Sequence, residues 1–547
     1  MLATFVFIVA MFITMALIPP LMKTATRLSI IDMPDARKVH TTPMPRVGGI
    51  AMVAGAVTPL LIWGDKPESV LAFLLGVGVI LVFGVWDDRR PLNHRVKFFG
   101  QAIAVAIVVF YGHVYIQYVP FYNSEPIPYW MSIALTFFAL LGTTNAINLA
   151  DGLDGLAGGA TFMSIAAISL LAFMAGDTNL LMLATAVMGS IVGFLRFNTH
   201  PAQVFMGDAG SQFLGFAAGV LVIILTQQSA PTLSPAIPLL LLGLPILDTF
   251  IVMGQRIFEG RSPFKPDRNH LHHKLLSLGY DHYESVVLIY AAQALLVTAG
   301  VYFRYASDGF NLTLYAAFSV ATIGLFQLAK KSEWRAHRRI VGDAPMSPLT
   351  ARLGALKRRG ILSIYPRVFI ATSVPLYIAH AIWSAGDIPY DAAITVYVML
   401  GIALAYLVIA RGRINIGLVE RLIICTTITA AVYYYVTNRV LEVGAWSLET
   451  GYFVALTAAL IIAYRFSKRQ DFRVTPMDFL VIFAVMVVPN LMGPKLVTGN
   501  IGEVAAKSVV LYYAAELIIS QSARKEWGIR TATTGVLAAF TVKALWF

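Results

Sequence analysis

The chain has 547 residues, 58% of them hydrophobic and 13% charged, about half the charged share of a soluble globular protein. That composition excludes a water-soluble fold. A formal net charge of +12 would suit a nucleic-acid partner, but the basic residues gather in short loops between apolar runs, and membrane topology explains that pattern without nucleic acid.

In chain order, apolar runs of about 17–22 residues recur, each long enough to cross a hydrocarbon core of roughly 30 Å at 1.5 Å per residue. The first, Leu2 to Met22, has neither a basic leader nor a small-residue cleavage site and reads as a retained span. Spans are expected near 1–22, 48–63, 70–86, 98–116, 129–149, 158–176, 179–197, 212–227, 236–257, 285–305 and 312–329. Further spans are expected near 367–385, 391–410, 418–438, 449–466, 476–492, 504–521 and 531–547. The expected fold is an all-α polytopic membrane protein, with about eleven helices in a core over residues 1–330 and about seven more over 367–547. Between them lies a basic linker, residues 331–366, with LKRRG near its end; a solvated segment lying on anionic headgroups accounts for it better than a specific binding site does. Cys425 is the sole cysteine, so no intrachain disulfide forms.

Most of the 41 Lys and Arg fall in loops that lie on one side of this topology, including 23–47, 87–97, 256–274 and 330–367. Positive residues resist translocation, which places the N-terminus outside and these loops in the cytoplasm.

The same loops collect carboxylates. Asp87 and Asp88 stand in GVWDDRR, Asp151 and Asp154 in NAINLADGLDGLAGG, and Asp208 in VFMGDAGS. One such residue reads most simply as a helix cap. Five at one membrane depth would repel unless cations intervene, and oxygen ligands in small number suit Mg²⁺ shared with a substrate's phosphates. Gly152, Gly155, Gly158, Gly159, Gly207 and Gly210 stand beside them; close backbone approach to phosphate and close helix packing both explain glycine there. A third group, RSPFKPDRNHLHHKL at residues 261–275, interleaves Arg268 and Lys274 with His270, His272 and His273. A zinc site, a headgroup-contact loop and a diphosphate-facing loop all fit. The last is preferred, because neighbouring histidines on a helix cannot all face one ion and no cysteine is near.

IDMPDARKVHTTPMPRVGG, GVWDDRR, NAINLADGLDGLAGG, FNTHPAQVFMGDAGS and SPFKPDRNHLHHKL, in this order over residues 1–330, resemble the polyprenyl-phosphate N-acetylhexosamine-1-phosphate transferases. The resemblance implies transfer of a sugar 1-phosphate from a UDP-HexNAc to polyprenyl (undecaprenyl) phosphate, releasing UMP, at the cytoplasmic face of a bacterial inner membrane. It implies Mg²⁺, with Mn²⁺ able to substitute, and is compatible with a homodimer. PRVGG and the histidine loop resemble the branch that uses UDP-GlcNAc for surface polysaccharides; the branch that takes UDP-MurNAc-pentapeptide for peptidoglycan is the alternative, and a transporter is the rival of another class.

Carried over by motif, Asp208 is implied as a Mg²⁺ ligand with Asn198 beside it. Asp87 and Asp88 match an acidic pair that serves either the metal or the acceptor phosphate. Lys97, in HRVKFFGQ, matches a lysine for the lipid phosphate. Asn148, Asp151 and Asp154 match positions that face the nucleotide or sugar, and Phe205 an aromatic that stacks on uracil. Arg268, His270, His272 and His273 match the diphosphate-facing loop, with His270 in a catalytic role. Nothing in the resemblance accounts for the chain beyond residue 330.

Overall fold

The computed structural model describes residues 2–33, 43–122, 125–260, 269–332, 334–336, 361–384, 448–465 and 501–521, with 428, 431–432, 435–436 and 479–480. It is built almost wholly of helices, and among the described residues nine are long and apolar enough to cross a membrane. Two compact units divide the chain: Met1–Arg339 with Thr475–Met492, and Ile340–Val474 with Gly493–Phe547.

In the first unit the order is α1 (Leu2–Leu28), a two-residue antiparallel pair of Ile31–Asp32 with Met44–Pro45, α2 (Gly48–Trp63), α3 (Glu68–Arg89), α4 (His94–Ala106), α5 (Tyr129–Ala150), α6 (Leu156–Ala175) and α7 (Thr178–Asn198). Then come α8 (Gly207–Ile224), α9 (Pro238–Leu241), α10 (Gly243–Phe258), α11 (Leu271–Ser277), α12 (His282–Tyr302) and α13 (Asp308–Lys331).

Small residues decide what stands at the centre. The first half of α8 carries Gly207, Ala209, Gly210, Ser211 and Gly215, which let neighbouring backbones approach closely. It is enclosed by α2, α3, α5, α6 and α7, and every residue from Ala209 to Ile224 is buried. Inside a membrane bundle polar side chains must find partners. Gln101 on α4 donates to Gln212 on α8 at 3.0 Å and accepts from Asn145 on α5 at 2.8 Å.

One expected span is corrected. The run 236–257 is not a single helix: it breaks at Leu242 into α9 and α10. Gln293 of α12 satisfies the freed backbone, donating to Leu241 O at 2.9 Å and accepting from Leu244 N at 3.2 Å. Pro245 then sits in the first turn of α10, where a missing N–H costs nothing.

In the second unit, helices Ile361–Ser384, Leu448–Arg465 and Ile501–Gln521 pack together. Lys507 bridges Glu449 and Glu503 at 2.5 Å each, and Tyr377 donates to Glu449 at 2.7 Å. The expected spans 391–410 and 531–547 lie outside the described residues, and 418–438 and 476–492 lie largely outside them. Phe479 and Leu480 belong to the core of the first unit, with the Phe479 ring 6.0 Å from that of Tyr290.

Candidate active site

One end of the first unit gathers the polar motifs, because α3, α5, α7 and α8 all begin or end there. Asp208 stands in the first turn of α8. Asp88, in the last turn of α3, is buried and spends both carboxylate oxygens on the N-terminus of α8: Oδ1 accepts from Asp208 N at 2.8 Å and Oδ2 from Ala209 N at 3.0 Å. A carboxylate at these orphan N–H groups complements the helix dipole. Gly207 turns the chain into α8 at φ +69°, and a side chain there would collide with the Asp88 carboxyl.

The PRVGG segment closes one side. Gly48 N donates to Phe205 O at 3.0 Å and Gly49 N to Met206 O at 2.9 Å, while Phe205 N donates to Pro45 O at 2.8 Å. A Cβ on Gly49 would strike the backbone of Gly210, so only glycine permits this approach. Arg46 is thereby held at the site, paired with Asp32 and 4.0 Å from Asp88 Oδ1.

Lys97 on α4 forms an ion pair with Asp87, and its Nζ lies 3.5 Å from Asp208 Oδ1. The Asp208 side chain is 22% exposed, whereas Asp87 and Asp88 are buried. Burial, then the charges of Asp208 and Asp154, push the Asp151 carboxyl up to about 7, and Arg46 acts the other way. Asp87, Asp88, Asp151 and Asp208 therefore face Arg46 and Lys97, an excess of negative charge. Hard oxygen donors with that excess fit a divalent cation such as Mg²⁺.

The DGLDG loop lies beside this cluster. Asn198 ties it to the segment before α8: its Oδ1 accepts from Gly155 N and its Nδ2 donates to Val204 O, both at 2.9 Å. Asn148 accepts from Ser211 Oγ at 2.6 Å. Asp154 pairs with His200 Nδ1 at 2.6 Å and accepts from Ala202 N at 3.1 Å. The His200 ring stacks on His282 at 4.0 Å, and His282 Nε2 contacts Asp154 O at 3.3 Å. Asp154, His200 and His282 are the one set among the described residues whose ligand-type atoms gather within 4.8 Å of one another. Hydrogen bonds within the protein already occupy them.

The histidine loop packs over the same place. His272 is buried with its ring against Gly152. Burial, then the neighbouring His273, lowers its pKa to about 3. His270 is also buried, and Asp248 of α10 holds its Nδ1 at 2.9 Å while accepting from Leu271 N at 2.8 Å. His273 faces a groove between α10, α11 and α13. Arg268 lies outside the described residues.

A family model described as glycosyl transferase family 4 matches residues 70–226, the stretch from α3 to α8 that carries Asp87, Lys97, Asp151 and Asp208. A Bacillus subtilis (strain 168) protein described as a probable undecaprenyl-phosphate N-acetylglucosaminyl 1-phosphate transferase is 37% identical over 287 residues, 52% of this chain and 80% of that protein. Undecaprenyl-phosphate alpha-N-acetylglucosaminyl 1-phosphate transferases of Yersinia pestis and Escherichia coli (strain K12) are 30% and 31% identical over 322 and 323 residues, in each case 58% of this chain and 88% of the relative. The chain belongs to the polyprenyl-phosphate N-acetylhexosamine-1-phosphate transferase family.

Within that family site, the structure brings together Asp87, Asp88, Lys97, Asp151 and Asp208. Asn198 and Asp88 are engaged with backbone rather than open to a ligand. Arg46, Asp248, His200 and His282 had not been singled out from the sequence. The signal for Arg46 was its place in PRVGG; for Asp248 it was a carboxylate inside an apolar run.

Proposed function

We propose that this protein transfers GlcNAc-1-phosphate from UDP-GlcNAc to undecaprenyl phosphate, releasing UMP, at the cytoplasmic face of the inner membrane. The observation that carries the proposal is the convergence of Asp208, Asp87, Asp151 and Lys97 at the open end of an otherwise buried helix, with the histidine loop packed on Gly152. The names of the relatives support the donor and the acceptor.

An oxygen of the lipid phosphate attacks the phosphorus that bears the sugar. The bond to the UMP phosphate breaks, and a lipid-linked diphosphate sugar forms. The acceptor is already ionised at neutral pH, so the barrier lies in bringing two anions together and stabilising charge on the diphosphate. Lys97 and Arg46 supply fixed positive charge, and His270, oriented by Asp248, offers its Nε2 to the diphosphate. Asp208, with Asp87 or Asp151, would hold Mg²⁺, which would supply neutralisation of phosphate charge. Phe205 supports the uracil. Asp88 and Asn198 hold Asp208 and the DGLDG loop in place.

The test is to incubate the purified full chain with Mg²⁺, undecaprenyl phosphate and a panel of UDP-sugars, and to measure both UMP and lipid-linked product. UDP-GlcNAc should be used. Preference for UDP-MurNAc-pentapeptide would move the protein to the peptidoglycan branch, and absence of UMP with every donor would overturn the proposal.

A further inference from the structure

A groove of about 1010 Å³ opens between α10, α11 and α13, and none of the carboxylates around Asp208 lines it. It is large even for a small-molecule site, which typically spans about 300–1,000 Å³. Two kinds of side chain line it. Ile251, Ile323 and Phe326 are apolar; Lys274, Lys330 and Arg335 are cationic. Among the described lining residues one carboxylate, Glu259, stands against them, so the groove is net positive.

A solvated anion site has no use for the apolar wall, and a purely apolar cleft has none for the cations. An amphiphile with a phosphate headgroup uses both. α13 forms a 24-residue apolar span whose surface is not enclosed by the rest of the bundle, so a lipid can enter sideways from the bilayer. We propose that the groove binds an anionic bilayer phospholipid, its phosphate between Lys330 and Arg335 with Lys274 nearby, and the upper part of its chains against Ile323 and Phe326. The site adjoins the histidine loop through α11, which carries His273 on the groove side and His272 against Gly152. A seated lipid would steady that helix.

The rival is diffuse attraction of anionic lipids to surface cations, which needs no groove. The full chain is reconstituted in nanodiscs of phosphatidylcholine with phosphatidylglycerol and moved to detergent, and retained lipid is counted by native mass spectrometry. Binding is read without turnover, so the result stands apart from the transferase assignment. Wild type should retain one phosphatidylglycerol. Lys330→Gln with Arg335→Gln should weaken retention about thirtyfold, as expected for two cations near a phosphate. Ile323→Trp keeps every cation and fills the groove, and should lose retention as well; monodispersity and an unchanged Tm verify that each variant is folded. Retention unaffected by Ile323→Trp would overturn the groove in favour of diffuse attraction. Retention unaffected by the cation changes would overturn the headgroup assignment. Competition by glycerol 3-phosphate as effective as by the lipid would show a headgroup-only anion site and overturn the lipid assignment.

Discussion

Asp88 accepts the backbone N–H of Asp208 at 2.8 Å, so a carboxylate on α3 fixes where the carboxylate on α8 stands. Asp88→Asn swaps one acceptor oxygen for an amide that cannot accept, leaving a buried helix N–H without its partner at a cost of about 1–3 kcal/mol. The variant should melt several degrees lower and lose most UMP release, although Asp88 faces backbone. Thermal melts beside turnover check this. Full activity with an unchanged Tm would show that the α3 cap is dispensable.

Asp208→Asn should behave differently. Its side chain is partly exposed and its contact with Lys97 is 3.5 Å, so the amide costs little stability while removing the charge that attracts a cation. Transfer should fall by at least two orders of magnitude at an unchanged Tm. EDTA should abolish wild-type activity, with Mg²⁺ or Mn²⁺ restoring it; restoration by Zn²⁺ alone would instead point to the histidines.

Lys97 and Phe205 separate the two substrates. Lys97→Ala removes the cation beside Asp87 and Asp208 and should raise the KM for the lipid phosphate more than that for the UDP-sugar. Phe205→Ala should do the reverse. Equal changes in both constants for both variants would show that the two roles are wrongly divided.

Asp248 acts through His270. Asp248→Asn keeps the shape but weakens the contact at His270 Nδ1 and allows the other tautomer. We expect kcat to fall about tenfold to a hundredfold with KM for both substrates nearly unchanged, and Asp248→Glu to recover less than wild type because the carboxylate is displaced. A KM effect with normal kcat would assign Asp248 to packing alone.

His272 makes stability depend on pH. Its folded pKa lies near 3, below the ordinary 6.5, because burial disfavours the imidazolium. The unfolded chain therefore binds the extra proton as pH falls below 6.5, and the stabilisation present above that value is lost progressively toward pH 3. The slope is about 1.4 kcal/mol per pH unit at most. Tm should decline on acidification from pH 7 to 5, and His272→Gln should flatten that decline. An identical decline in the variant would remove His272 as its source.

Apolar length alone located most of the helices, since crossing a bilayer is a one-dimensional requirement that each run meets by itself. The clustering of Asp87, Asp151, Asp208 and the histidines was legible because they occupy helix ends on one side of the topology. What length cannot carry is which side chain meets which. Leu242 breaks the run 236–257; Gly243 and Pro245 mark the break in the run itself, but that Gln293, on another helix, satisfies the freed backbone is visible only in the fold. Asp248 looks like an isolated charge in an apolar helix until folding brings His270 to it from 22 residues away. Asp88 stands out in the sequence as one of an acidic pair for the metal or the acceptor phosphate and Asn198 as the polar neighbour of Asp208, and packing directs their oxygens onto backbone N–H groups. Apolar length and loop charge thus locate most of the described helices and the end of the bundle at which polar chemistry collects; packing settles which of those polar groups remain open to a substrate, because a hydrogen-bonding group buried between helices is committed by whichever partner lies within about 3 Å of it.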